Sequence, residues 1–208
     1  MNSDTEVLDV LDWKTGKKTG QTILRGEAHR QGVPHQAMHL WVYTLFEDQL
    51  YLLFQQRSFK KKNFPGQFGP TVGGHVGSGE GLQTLVREAS EEVGLKVSLN
   101  DMEYLGYNPF HFSLPGDYED REWIEDWRCL SNQPLNQYRF NDGEVIGLAM
   151  IKPEDLLDAG HHPTQVRFFD GKKTQILRIE PDQWVEGLFE SPMFPLLAQP
   201  QHFGGRTV

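Results

Sequence analysis

Apolar and polar positions along the chain fall into two periods. Residues 7–11 alternate, 13–17 carry turn residues, and 21–24 return, which predicts a hairpin across 6–25. Residues 26–33 read as a short helix or turn. Residues 38–46 and 50–56 are rich in β-branched and aromatic side chains around Glu47-Asp48-Gln49, predicting a second hairpin. A Lys-, Pro- and Gly-rich loop covers 60–70. Over 81–93 the period changes: Leu82, Leu85, Val86, Ala89 and Val93 recur at three- and four-residue steps, the apolar stripe of a helix. Gly94 stands where the end of such a helix wants positive φ. Beyond it the pattern predicts strands near 96–98, 102–113, 123–130 and 144–151, with an acidic turn at 117–120. A short helix opened by Pro153 follows, then a hairpin of 165–169 and 174–179. The reading ends with a terminal helix over 181–190 and a loose tail at 204–208. No repeat or linker interrupts the chain. It therefore reads as one domain over 1–208: the hairpin at 6–25, a core at about 36–160, and a C-terminal hairpin and helix within 161–208. The mixed order of strands and helices suits an α+β (α/β) fold, a mixed sheet sandwiched between helices.

The predicted helix at 81–93 also carries charge. Glu88, Glu91 and Glu92 fall within an arc of about 100° on an α-helix, roughly 115° away from the apolar stripe. Like charges so placed repel, and a hard divalent cation with oxygen ligands is the simplest counter-charge. A solvated acidic face is the plainer reading of a Glu-Glu pair. The glycine-rich loop just upstream, Gly73-Gly74-His75-Val76-Gly77-Ser78-Gly79-Glu80, favours the cation. Arg87 precedes Glu91 by four residues and can hydrogen-bond it.

This loop and helix resemble the Nudix box, the signature of hydrolases that cleave a nucleoside diphosphate, or another diphosphate, linked to a further group. Gly74, Glu80 and Arg87-Glu88-Ala89-Ser90-Glu91-Glu92-Val93-Gly94-Leu95 carry the resemblance. The spacing between Glu80 and Arg87 is one residue short of the family pattern. A helix shortened at its start keeps the phase of its glutamates, so the carboxylate cluster is expected to be intact and Glu80 to be displaced. The segments around His29 to Val42, Leu53 to Ser58 and Phe64-Pro65-Gly66 resemble the branch related to isopentenyl-diphosphate isomerase. Isomerases of that branch carry a catalytic cysteine before the Gly-His of the loop, where this chain has Gly73. A hydrolase on the same scaffold is therefore favoured over an isomerase of allylic diphosphates, and over a binding module that no longer turns over.

The resemblance implies a Mg²⁺ or Mn²⁺ ion held by Glu88, Glu91 and Glu92, with the carbonyl of Gly73 and the carboxylate of Glu122 as further ligands. Glu144 is a weaker candidate. One of the box carboxylates, or Glu80, would take the proton of the attacking water. Arg57, Lys61 and Lys62 match basic positions of the isomerase branch and would clamp the substrate's phosphates; the plainer reading of the lysines is a solvated turn. His29, His35, His39 and His75 are of a type that holds metals or acts as a switch, with His35 and His75 the candidates to touch the site, but a lone histidine is more often a satisfied core or surface group. Aromatics such as Trp41, Phe68, Tyr107, Phe110, Phe112 and Trp123 could stack on a base or thiamine ring, though most such residues are core.

Composition narrows the rest. The 208 residues are 38% hydrophobic and 12% aromatic, enough for a packed core. A net charge of −9 argues against long nucleic acid as a partner but not against a small phosphorylated substrate. The one cysteine, Cys129, excludes an intramolecular disulfide and fits a reducing compartment. No apolar run approaches the ~20 residues of a membrane span, and residues 1–6 lack the features of a signal peptide. A cytoplasmic protein with a small diphosphate-containing substrate is expected, with a homodimer left open.

Overall fold

The computed structural model describes residues 3–114, 116, 118–141, 143–199, 202–203 and 206–207. The first hairpin pairs β1 (Val7–Leu11) with β2 (Lys18–Leu24), and α1 (Arg25–Gln31) follows at once, ending on Gly32 at φ 62°. The second hairpin is β3 (His35–Phe46) with β4 (Gln49–Arg57). Two short strands, β5 (Phe68–Gly69) and β6 (Val72–His75), lead through the glycine loop into α2 (Gln83–Val93). Next come β7 (Glu103–Leu114), β8 (Tyr118–Ser131), β9 (Val145–Ile151), α3 (Leu156–Ala159), β10 (Thr164–Phe169), β11 (Thr174–Ile179) and α4 (Phe194–Leu197).

Nine strands form one mixed sheet in the order β11-β10-β9-β4-β3-β8-β7, with β5 against β4 and β6 against β3. The β3–β8 pair is parallel, and it sets His35 beside Glu122 and His39 beside Asp126. Central strands are apolar on both faces because both faces are covered. Met38, Leu40 and Val42 of β3 enter one layer, where α2 contributes Leu85, Ala89 and Val93. Trp41 and Tyr43 enter the other, with Leu156, Ala159, Phe194 and Leu197. The expected α+β sandwich is what the chain forms. Gly94 ends α2 at φ 64°, as its position demanded.

Four expectations need correction. Residues 96–98 form no strand; the backbone of Lys96 donates instead to the side chain of Gln133. The acidic turn at 117–120 is shorter than read, because Tyr118 already opens β8; Asp117 lies outside the described residues. The helix over 181–190 is replaced by two 3₁₀ turns, Pro181–Gln183 and Leu188–Glu190. Between them Trp184 is buried with an extended backbone, Val185 N–H donates to Phe68 O at 2.9 Å, and Gly187 turns at φ 75°. Pairing with β5 and burial of the Trp184 ring against Phe54 and Phe68 outcompete a helical run there. In the tail, β12 (His202–Phe203) pairs with β13 (Arg206–Thr207), while Gly204, Gly205 and Val208 lie outside the described residues.

Candidate active site

A cavity of about 310 Å³ opens where α2, β6, β8 and the 58–67 loop converge. The helix delivers Glu88 and Glu92 to it. Glu92 is only 4% exposed; it accepts the Gly73 N–H at 3.2 Å and the Gln55 side-chain amide at 3.5 Å. Glu88 is half-buried against Gly74, where a Cβ would sit 2.7 Å from its Oε1; only glycine lets the two approach. Burial raises the Glu88 pKa, with the neighbouring Arg87 guanidinium opposing.

Arg87 gathers the other box carboxylates. Its Nη1 donates to Glu88 at 2.8 Å and Glu91 at 3.2 Å, and its Nη2 reaches Glu80 at 3.4 Å. Thr84 Oγ1 also donates to Glu80, at 2.9 Å. Glu91, its side chain 56% exposed, and Glu80 both lie outside the cavity lining. The Arg87–Glu91 contact read from four-residue spacing is therefore present, while the three glutamates of the arc do not share one environment. Glu92, beside Val93, turns inward, and Glu91 turns out.

Across the cavity stand Arg57 and Lys61. Burial lowers the Arg57 pKa while the carboxylates of Glu92 and Glu144 work to restore it. Its Nε donates to the Asn63 carbonyl at 3.2 Å, and the side chain lines the cavity. Lys61 Nζ pairs with Glu144 at 2.6 Å. Lys62 is not in the lining; its ammonium lies over the Tyr118 ring, 5.3 Å from the centroid. Gly73 and Glu122 line the cavity, as does Glu144.

Beside the carboxylates lies a group whose histidines the sequence offered one by one but did not join together. His29 from α1, His35 at the start of β3, His75 at the end of β6 and Asp120 of β8 each offer one donor atom within 4.8 Å of the others. His75 Nε2 is 3.0 Å from Glu122 Oε1, and His35 Nε2 is 3.5 Å from Asp120 Oδ1. His35 Nδ1 lies 2.9 Å from the Val33 carbonyl; a proton there points the Nε2 lone pair at Asp120. His35 Nε2 and Asp120 Oδ1 are buried without a hydrogen-bond partner. Burial holds His29 at about 3 and His75 at about 4, so both imidazoles are neutral and basic nitrogens at pH 7. Burial and the adjacent Glu122 push the Asp120 pKa upward. One orphaned imidazole nitrogen and one orphaned carboxylate oxygen, beside the His29 and His75 rings whose Nε2 atoms lie 3.3 Å apart, fit a divalent cation, and the nitrogen content suits Mn²⁺ or Zn²⁺ better than Mg²⁺. The available signals were His29 and His35 six residues apart, His75 closing the glycine pair, and Asp120-x-Glu122 on one strand face. None is distinctive without the β3–β8 register. Arg25, Asn63 and Asn108 also line the cavity and went unnoticed.

Carboxylates and guanidinium facing one another over a cavity, on a mixed sheet held between helices, define an enzyme class that works on phosphate groups. Residues 35–171 match the NUDIX domain model, more than half the chain, so the protein belongs to the Nudix family and is a Nudix hydrolase. Hydrolases of this family generally act on nucleoside diphosphate derivatives and use divalent metal ions. An uncharacterized Nudix hydrolase of Clostridium acetobutylicum is 29% identical over 172 residues, covering 81% of this chain and 76% of that one. The isopentenyl-diphosphate Delta-isomerase of Serratia proteamaculans is 31% identical over 96 residues, covering 46% and 50%. A crystal structure of a MutT/nudix family protein from Enterococcus faecalis shares the fold, with a TM-score of 0.53 at 16% identity over 83% of this chain and 65% of that one.

Proposed function

We propose that this enzyme is a Mg²⁺- or Mn²⁺-dependent hydrolase of small organic diphosphates. The observation that carries the reading is the placement of Glu88 and Glu92 against Arg57 and Lys61 across one cavity. Water adds to a phosphorus atom, the P–O bond to the bridging oxygen breaks, and the products are two phosphate-bearing fragments with one proton released. Arg57 and Lys61 hold the phosphate oxygens, with Glu144 the counter-ion that Lys61 gives up. Glu88, less acidic than an ordinary carboxylate and oriented by Arg87, takes the proton of the attacking water. Glu92, the Gly73 carbonyl and Glu122 would hold the cation, and Glu91, paired here with Arg87, is the further box carboxylate that would be available to it. The bound cation supplies charge neutralisation at the phosphates and a more acidic water. The histidine group with Asp120 is a second donor set on the same cavity.

Segments before and after the family-matched region support a one-domain reading of 1–208, since Glu6 and Arg25 line the cavity together with Val185, Leu188 and Pro192. The net charge of −9 supports a small substrate over long nucleic acid, and the single cysteine supports a cytoplasmic setting. Among the described residues no helix is long and apolar enough to cross a membrane. The isomerase relative keeps allylic isomerisation as the second reading. Gly73 in the cavity and the burial of Cys129 in the core, away from the lining, speak against it.

Metal titration tests the proposal. Mg²⁺ or Mn²⁺ is expected to raise the melting temperature of the metal-stripped protein, because a ligand that binds the folded state alone stabilises it. Glu88→Gln/Glu92→Gln should lose most of the Mg²⁺ shift and the hydrolysis of a diphosphate panel. An intact shift and intact turnover in that variant would remove the cation from α2. His75→Ala should instead lower the response to Mn²⁺ or Zn²⁺ more than the response to Mg²⁺.

A further inference from the structure

The loop between β4 and β5 stands apart from the core. Its ends meet: Arg57 N–H donates to Gln67 O at 2.9 Å, and the Gln56 side-chain amide donates to Gly66 O at 3.0 Å. Residues 58–67 are therefore an Ω-shaped loop on a closed base. Neither core cluster contains a residue of this loop. Phe59 is 72% exposed, its ring laid over Gly66.

The tip, by contrast, reaches the far wall of the cavity. The Phe64 ring lies 4.8 Å from that of Phe112 on β7. The Lys62 ammonium lies 5.3 Å from the centroid of Tyr118 on β8, and Lys61 Nζ pairs with Glu144 just before β9. Phe64 and Lys61 line the cavity, as do Phe112, Tyr118 and Glu144, so the loop spans it from wall to wall.

Holding that pose strains the loop itself. Phe64 has φ 52°, a left-handed backbone that a bulky side chain rarely adopts. Asn63 Oδ1 and Gln67 Oε1 are shielded from solvent and have no hydrogen-bond partner among the described residues. A ring pair, a cation over a ring and one ion pair are of the same order as these penalties. Releasing the tip relieves the backbone and wets both amide oxygens, while the core stays packed. A segment so balanced opens locally, at far less cost than global unfolding.

The cations assigned to the phosphates sit on either side of this hinge. Arg57 ends β4 and pairs with Val145 of β9, so it stays with the sheet, whereas Lys61 rides on the loop. Opening parts them; closing brings them over one cavity.

We propose that the 58–67 loop is a gate, which opens to admit substrate and closes to assemble the phosphate clamp. The form in this structure is the closed one, strapped to β7 and β8 by Phe64 and Lys62. The clamp rests on the diphosphate reading above; the gate adds a loop motion on which binding must wait.

Limited trypsin digestion of the full-length, metal-free protein reads the gate without turnover, since Lys60, Lys61 and Lys62 are consecutive cleavage sites. Nicking there tracks the open fraction. Phe112→Ala should be nicked in the loop about three- to tenfold faster than the parent, the scale of one ring pair, with cleavage elsewhere unchanged. If Phe112→Ala fails to fold or is cut throughout, Phe64→Leu removes the same contact from the loop side and decides. Equal nicking of parent and variant overturns the gate. A covalent strap is the complementary test, with Cys129 buried and unlabelled. Phe64→Cys/Phe112→Cys bridged by dibromobimane should take up Mg²⁺-pyrophosphate at least about tenfold more slowly, by stopped-flow tryptophan fluorescence, than the same variant unbridged. Uptake at the unbridged rate overturns the gate and leaves the diphosphate reading standing. If pyrophosphate binds neither form nor the parent, the diphosphate reading falls, and the nicking ratio alone decides the gate.

Discussion

At the scale of single residues, Arg57 and Cys129 make opposite claims. Arg57 is half-buried and lines the cavity, and its fork suits phosphate oxygens in a way that an ammonium does not. Arg57→Lys is therefore expected to lower kcat/KM about ten- to hundredfold with little change in metal-induced stabilisation, a loss of one charge-assisted contact. Equal kinetics in variant and parent would return Arg57 to structure. Cys129 packs in the core, and burial pushes its thiol up to about 12. Its labelling by a thiol reagent should proceed at the rate of unfolding; fast labelling of the native protein would contradict its burial. Much of this scale was legible. Glu88 and Glu92 were found from their own spacing, because a helix turns local spacing into direction. The histidines were named singly but their meeting was not legible, because His29, His35 and His75 come from three elements whose convergence no local period encodes.

Among the elements, α2 has the clearest energetics. Leu85 is fully buried in its stripe, and Leu85→Ala should cost about 2–5 kcal/mol of stability by denaturant unfolding. Gly94→Ala should cost about 1–3 kcal/mol through a left-handed alanine, with Arg139 N only 3.0 Å from the new Cβ. A smaller loss at either position would mean that the helix end relaxes more freely than its packing suggests. Hairpins with strong alternation were readable, β10–β11 and β4 to within a residue and β3 except for its first three residues. The segment 181–190 was misread because its Glu, Leu and Trp content favours a helix in isolation. Its fate was settled by an edge strand more than a hundred residues earlier in the chain, which local propensity cannot sense. The shortened spacing in the box had a mild outcome. Glu80 still reaches Arg87, held by Thr84 one turn earlier.

For the whole molecule, the buried histidines set a pH dependence. His29 and His75 have folded pKa values of about 3 and about 4, below the ordinary 6.5, so the unfolded chain binds protons first as pH falls. Their contribution to stability is present above pH 6.5 and is lost on acidification toward pH 4. Metal-free protein should thus show a melting temperature that falls through that window, and His29→Gln should flatten the fall. An unchanged profile would mean that the imidazoles are solvated in the folded state. Fold class was legible at this scale because two apolar faces on the central strands require covering layers. The cavity was not, since its walls come from segments on both sides of the family-matched region.

The parallel pairing of β3 with β8 carries a kinetic consequence. His35 and Glu122 become neighbours only when strands from distant parts of the chain are zipped side by side, with β4, β6, α2 and β7 already accommodated between them. Such closures are slow because the intervening chain must be ordered before any contact rewards it. During refolding, helical and hairpin signals should therefore recover first, and enzymatic competence should arrive as the final, separate phase.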